Sequence, residues 1–151
     1  MSWKAKLDEL GISLPAVPAP AGAYLPAVQT GSLVYTSGQV PLADGKPIAT
    51  GKVGADVSPE QAKDLARTCA LNALAAVDSL VGIDAIVRVV KVVGFVASAE
   101  GFGGQPGVIN GASELFGEIF GEAGQHARSA VGVAELPLNV PVEVEIIVEV
   151  S

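Results

Sequence analysis

From Val142 to Val150 the chain alternates. Val142, Val144, Ile146, Val148 and Val150 fall on one side, and Glu143, Glu145, Ile147 and Glu149 fall on the other. Successive side chains of an extended strand point to opposite faces, so the segment reads as a β-strand with one apolar face and one largely acidic face. Residues 86–97 are apolar on both strand faces, interrupted only by Arg88, Lys91 and Gly94, which predicts a central strand buried on each side. Residues 27–29 and 32–36 flank Thr30-Gly31 and predict a hairpin. The turn Ala43-Asp44-Gly45 then leads to a short strand near residues 47–50. Residues 129–135 and 142–150, separated by Leu136-Pro137, predict a closing hairpin.

Helices are set between these strands. Ser58-Pro59-Glu60-Gln61 is the clearest helix start in the chain: Ser58 can cap, Pro59 suits the first helical position and Gln61 completes a capping-box pattern. Behind it Ala62, Leu65, Ala66, Cys69, Ala73, Val77 and Leu80 recur at spacings of three and four, one broad face to lay on a sheet. Cys69 lies within this face and reads as a small buried hydrophobe with an inert thiol. A second helix over residues 106–121 presents Ile109, Ala112, Leu115 or Phe116, and Ile119, with Glu114, Glu118 and Glu122 on a solvated face opposite. Residues 3–10 have helical spacing and stop at Gly11; the Pro/Ala segment 14–20 should lie extended against the domain, with no function of its own.

The order of these elements predicts an α+β fold, a mixed sheet with two helices packed on one face. Nothing in the chain covers the other face. Val34, Ile147 and part of segment 86–97 would be left showing apolar surface to water, which predicts a homo-oligomer.

With 151 residues, 50% hydrophobic and 17% charged, the chain is one folded domain and not a disordered one. No apolar run reaches the roughly 18 residues needed to span a bilayer. Sixteen acids against nine bases give a net charge of −7, and the bases stand singly from Lys4 to Arg128, which argues against nucleic acid as a partner. Cys69 and His126 are the only residues of their types, so there is no intrachain disulfide and no metal-ligand set. Residues 1–6 lack the apolar core of a signal peptide, and a cytoplasmic location is the expectation.

Few residues stand out for chemistry. His126 has no nucleophile-elbow pattern beside it. Gly101-Phe102-Gly103-Gly104 lacks both the Walker lysine and dinucleotide spacing, and reads as a turn. Arg128 begins a strand that otherwise enters the core: it either forks a carboxylate or makes a salt bridge at the rim. Glu143 is either a solvent-facing strand residue or a functional one.

Three strings carry a resemblance. Thr36-Ser37-Gly38-Gln39-Val40-Pro41-Leu42, then Ala127-Arg128-Ser129-Ala130-Val131-Gly132-Val133-Ala134-Glu135-Leu136-Pro137, then Val142-Glu143-Val144-Glu145 resemble the RidA family, known in older naming as endoribonuclease L-PSP. The resemblance covers residues 21–151 in order and leaves 1–20 as an N-terminal extension packed on the domain, as in a longer subgroup. It implies a chorismate-mutase-like fold and a homotrimer with ligand clefts at subunit interfaces. It also implies hydrolysis of reactive enamines and imines such as 2-aminoacrylate to a 2-keto acid and ammonia, without a cofactor or metal. By the same resemblance Arg128 binds the substrate carboxylate and Glu143 holds or activates water. Tyr24 and Asn110 line the cleft, and Gly38 lets backbone approach the ligand.

Some positions depart from the family. Pro26 stands where many members have glutamine, and Ala130 where some have cysteine. The stretch from Asn110 to Arg128 is about one residue longer, and the loop 101–107 bears on the shape of the cleft. His126, beside Arg128, is either a proton-transfer group or a structural residue. A binding or sensing module for small carboxylates is the alternative to a deaminase. A ribonuclease or translation inhibitor, suggested by the older name, is opposed by the acidic composition.

Overall fold

In a computed structural model, which describes residues 2–20 and 22–151, the alternating segment forms the strand at the middle of a five-stranded sheet. In chain order the elements are α1 (Trp3–Glu9), β1 (Ala27–Thr30), β2 (Leu33–Thr36), β3 (Leu42–Ala43), β4 (Lys46–Pro47), α2 (Pro59–Val81), β5 (Ile86–Ala97), α3 (Gln105–Phe120), β6 (Ala127–Val133) and β7 (Val142–Val150). The sheet order is β1-β2-β7-β5-β6, antiparallel throughout except for the parallel pair β5–β6. β3 and β4 form a separate small hairpin around Asp44-Gly45, both at positive φ; the second strand is shorter and earlier than the predicted 47–50.

The apolar set of β7, from Val142 to Val150, is buried beneath α2, with α3 lying over β5 and β6, while the residues between them are half-exposed. Val34 corrects the sequence reading. It pairs with Val148 and is fully buried on the helix side, and its neighbour Tyr35, opposite Ile147, is the residue on the open face.

β6 and β7 do not form the expected hairpin. α3 carries the chain back in the direction of β5, so β6 pairs parallel with one edge of β5 while β7 pairs antiparallel with the other. Nor is β5 buried on both sides within the chain. Ile86, Val89, Val92 and Val96 are buried, whereas Val87 is exposed and Val93 and Phe95 are half-exposed. The three-residue spacing of the first buried positions arises because β5 slips register against β7 twice, between Ile86 and Arg88 and between Val89 and Lys91. With Val28, Tyr35 and Val131, these residues make the helix-free face distinctly apolar.

Ser58 Oγ accepts from the Gln61 N–H at 3.1 Å and starts α2 as its sequence predicts. Ala62, Leu65, Ala66, Cys69, Ala73 and Val77 are buried, and burial pushes the Cys69 thiol well above its ordinary range. Leu80, however, is 45% exposed. The chain turns at Gly82, and Ile83, whose N–H donates to Asp78 Oδ1 at 2.8 Å, takes the buried place instead. On α3, Ile109, Ala112, Leu115, Phe116 and Ile119 are all buried. Glu114 and Glu118 are exposed, but both reach cations on α2: Lys63 at 3.0 Å and Arg67 at 3.4 Å. Solvated pairs of this kind add little stability.

The first helix is tied to this layer. Trp3 Nε1 donates to the Ile86 carbonyl at 2.7 Å, its ring stands edge-on to Phe120 at 5.0 Å, and Leu7 is buried. Among the described residues no helix is long and apolar enough to cross a membrane.

α2 and α3 approach tightly at Gly111, where an added Cβ would strike the backbone carbonyl of Lys63. Helix propensity alone would favour alanine there by about 1 kcal/mol, but a backbone carbonyl in a packed layer cannot yield cheaply. Gly111→Ala is expected to destabilise the fold by about 1–3 kcal/mol. The midpoint of denaturant unfolding checks this; an unchanged or raised midpoint would show that helix propensity dominates.

Candidate functional site

Glu143 lies between two buried valines of β7 and therefore points to the helix-free side, in register with Phe95 of β5. Beside it, Gln39 forms a two-bond bridge to Val144: Gln39 N–H donates to Val144 O at 2.8 Å and Val144 N–H to Gln39 O at 3.0 Å. That bridge draws Gly38 onto Glu143 so closely that an added Cβ would sit on the carboxylate. Ser37 secures the same loop from the other end, its N–H donating to Pro26 O at 2.8 Å and its hydroxyl to Leu25 O at 2.6 Å. Tyr24, Gly38 and Glu143 thus line one cleft of about 210 Å³.

The remaining walls are apolar. Pro18, Ala19 and Pro20 form one of them, and Pro137 and Leu138 another. The sequence reading assigned segment 14–20 no role, and composition alone could not show that it folds across the cleft. Leu138 is 62% exposed and holds a positive φ of 59°, a conformation that a leucine rarely adopts and that no sequence signal announced. Pro26 also lines the cleft, whereas no residue of loop 101–107 does.

Among the described residues no group donates a hydrogen bond to the Glu143 carboxylate, yet its oxygens are not sealed from the cleft. Partial burial raises its pKa from the ordinary glutamate value, and the like charge of Glu145 raises it further. A carboxylate in this condition accepts a proton more readily than an exposed one and has lone pairs free to hold water.

Arg128 lies elsewhere. It pairs with buried Val92 and so points to the helix side of the sheet. There Nη1 donates to Asn110 Oδ1 at 2.7 Å and to Ser113 Oγ at 3.1 Å. Asn110 and Ser113 are one turn apart on α3 and share a face; that spacing is the signal by which Ser113 could have been found. Ser113 Oγ also lies 2.9 Å from His126 Nε2, and His126 Nδ1 lies 2.6 Å from Gly124 O. Burial lowers the pKa of His126; the Gly124 carbonyl pulls it partly back, and the Arg128 charge adds to the lowering. His126 makes no hydrogen bond to Arg128 itself.

The structure therefore places the candidate residues in two groups within one chain: Tyr24, Gly38 and Glu143 in a cleft, and Arg128 with Asn110 on the opposite face of the sheet.

Comparison with known proteins agrees with this architecture. The sequence profile described as Endoribonuclease L-PSP matches residues 15–150. The chain is 43% identical over 149 residues to Protein TCP17 of Trypanosoma cruzi, covering 97% of this chain and 93% of that one. It is 35% identical over 140 residues to a 2-iminobutanoate/2-iminopropanoate deaminase of Dermatophagoides farinae, covering 93% and 95%. The crystal structure of Atu1372 from Agrobacterium tumefaciens, a protein of unknown function, superposes with a TM-score of 0.89 at 46% identity, covering 99% of this chain and 92% of that one.

Glu145→Gln removes the like charge but leaves the burial. The midpoint of Glu143, followed by carboxyl carbon NMR, is expected to fall toward the ordinary range without reaching it. A midpoint that does not move would assign the whole shift to desolvation.

Proposed function

The chain belongs to the endoribonuclease L-PSP family, also called RidA, and from that premise we propose that it is a cofactor-independent hydrolase of 2-imino acids and their enamine tautomers, 2-aminoacrylate being the smallest. The products are a 2-keto acid and ammonia. The observation that carries this reading is Glu143: a half-buried carboxylate with a raised pKa and no donor among the described residues, seated against Gly38 in an apolar cleft. The deaminase name of the Dermatophagoides farinae relative supports the same chemistry.

The reaction asks little of the protein, because the substrate is already reactive. The enamine tautomerises to an imine whose carbon is electrophilic beside the carboxylate. With the imine protonated on nitrogen, Glu143 takes a proton from water as the water oxygen adds to that carbon and the C=N π pair goes to nitrogen, giving a neutral carbinolamine. Glu143 returns that proton to the nitrogen; as the C–N bond breaks and ammonia leaves, the hydroxyl gives its proton back to Glu143 and the C=O bond forms. Arg128 holds the substrate carboxylate and fixes the imine carbon against the water, so that positioning and one acid–base group suffice.

Arg128 and Glu143 are on opposite faces of the sheet in one chain, so this reading requires a second copy. The apolar helix-free face supplies the reason to associate, and a homotrimer would join the Glu143 cleft of one protomer to Arg128 of the partner subunit. RNA cleavage has less support: the net charge of −7 repels a polyanion.

The test generates 2-aminoacrylate in situ with a serine dehydratase and follows pyruvate release, with semicarbazide trapping free imine. Wild type is expected to accelerate release. Glu143→Gln should lower kcat by about 10²–10⁴, the usual worth of a general base. Arg128→Ala should lower kcat/KM by about a hundredfold, the loss expected of a charge-assisted fork. Co-assembling these two inactive variants in equal amounts is expected to restore about a quarter of wild-type activity, because a random trimer then contains intact composite sites. No acceleration by wild type, together with tight binding of a 2-keto acid, would replace the enzyme with a carboxylate-binding module. No recovery on mixing would refute the composite site.

A further inference from the structure

The proposed chemistry employs Arg128 and Asn110 but leaves His126 and Ser113 without a role, although the four form one unbroken chain of hydrogen bonds. The direction of that chain can be worked out from its ends. The Gly124 carbonyl can only accept, so His126 Nδ1 carries the proton. In the neutral ring Nε2 is then bare, and the partner 2.9 Å away, Ser113 Oγ–H, must donate to it. With its hydrogen committed, Ser113 can offer Arg128 only lone pairs, and it accepts from Nη1 at 3.1 Å. The second hydrogen of Nη1 goes to Asn110 Oδ1 at 2.7 Å.

The histidine end of the chain is anchored twice. The His126 ring stands edge-on to buried Phe116 at 5.9 Å and 89°, one turn beyond Ser113 on α3. Gly124 packs so closely on α3 that an added Cβ would strike the Phe116 carbonyl, which fixes the acceptor for Nδ1. The lowered pKa of His126 agrees with a ring that stays neutral.

We propose that His126 is a positioning residue for Arg128, acting through Ser113. The neutral ring turns the Ser113 hydroxyl away from the guanidinium and makes Ser113 an obligate acceptor, so both Nη1 hydrogens are held and the guanidinium plane is set. The edge formed by Nε and Nη2 is then the one presented to a carboxylate. Without an acceptor at the Nε2 position the hydroxyl rotates freely, the second anchor weakens, and Arg128 pivots on Asn110 alone. This assignment rests on Arg128 being the carboxylate anchor, but the orientation of the guanidinium can be read without any ligand.

The experiment records the side-chain NMR of Arg128, assigned by its loss in Arg128→Lys, in wild type, Ser113→Ala, His126→Phe and His126→Gln. A held guanidinium gives resolved, slowly exchanging Nη signals. These are expected in wild type and in His126→Gln, whose side-chain oxygen can accept at the place of Nε2. They are expected to merge in Ser113→Ala and His126→Phe. The second readout is calorimetric affinity for 2-oxobutanoate at pH 8. It should fall about tenfold in Ser113→Ala and in His126→Phe, as for loss of one hydrogen bond to a charged group. The double variant should bind no more weakly than Ser113→Ala alone, since His126 acts through that hydroxyl.

Resolved Nη signals in His126→Phe, or additive losses in the double variant, would overturn the proposal. If His126→Phe does not fold, Ser113→Ala against His126→Gln carries the same comparison: a merged signal in both, or in neither, would overturn it. Failure of wild type to bind 2-oxobutanoate while the NMR pattern holds would leave the positioning intact and remove the carboxylate role of Arg128 instead.

Discussion

Burial of β7 on one side only is the constraint from which the rest follows. Five β-branched residues at alternate positions are sealed under α2, while the residues between them face a side on which no described α-helix packs. β2 and β5 must flank this strand in a register that sends their own apolar residues to the same side, as Val34 opposite Val148 and Val92 opposite Ile146 show. A slip of one residue would invert every side chain of a strand. β5 slips twice against β7, each time by one extra residue of its own, so that Ile86, Val89 and Val92 all reach the core despite their odd spacing.

The same parity separates the proposed site residues. Glu143 occupies an odd position of β7 and faces the helix-free side. Arg128, through its register with Val92, shares the parity of the core and reaches α3. No rotation of a side chain carries either one through a packed sheet, so a single copy cannot bring them to one substrate. The proposed second copy would answer this parity and would cover the exposed Val28, Tyr35, Val87 and Val131.

Much of this was legible because it is local. The alternation of β7, the Ser58-Pro59 start of α2 and the stripe from Ile109 to Ile119 are periodic patterns of consecutive residues, and each became the element expected. The errors lie where topology decides. The closing hairpin was inferred from adjacency in sequence, whereas α3 returns the chain parallel to β5 and places that strand between β6 and β7. Val34 was assigned to the wrong face because a four-residue strand carries too little pattern to fix its parity. At the candidate site, Arg128, Asn110, Glu143, Gly38 and Tyr24 were named through resemblance, and the structure groups them as three and two. Ser113 is legible only through its spacing of one turn from Asn110, since a serine within a helix carries no other signal. The role of Pro18–Pro20 as a cleft wall depends on a chain path that proline content does not encode.

Packing and site geometry are finally one problem, because the functional side chains ride on contacts that leave no room for a Cβ. The seat of α3 on α2 is set at Gly111 against the Lys63 carbonyl, and that seat determines where Asn110 and Ser113 stand above β6. The turn after α3 closes onto the Phe116 carbonyl at Gly124, whose own carbonyl then orients His126. On the far side of the sheet the backbone at Gly38 presses on Glu143 and helps strip it of water, which is the larger part of why its pKa rises. A substitution at any of these glycines would move a charged group rather than merely loosen a core. Stability and the placement of the proposed site are therefore coupled at these points, and the close helix and loop approaches that make the fold compact also hold Glu143 on one side of the sheet and Arg128 on the other.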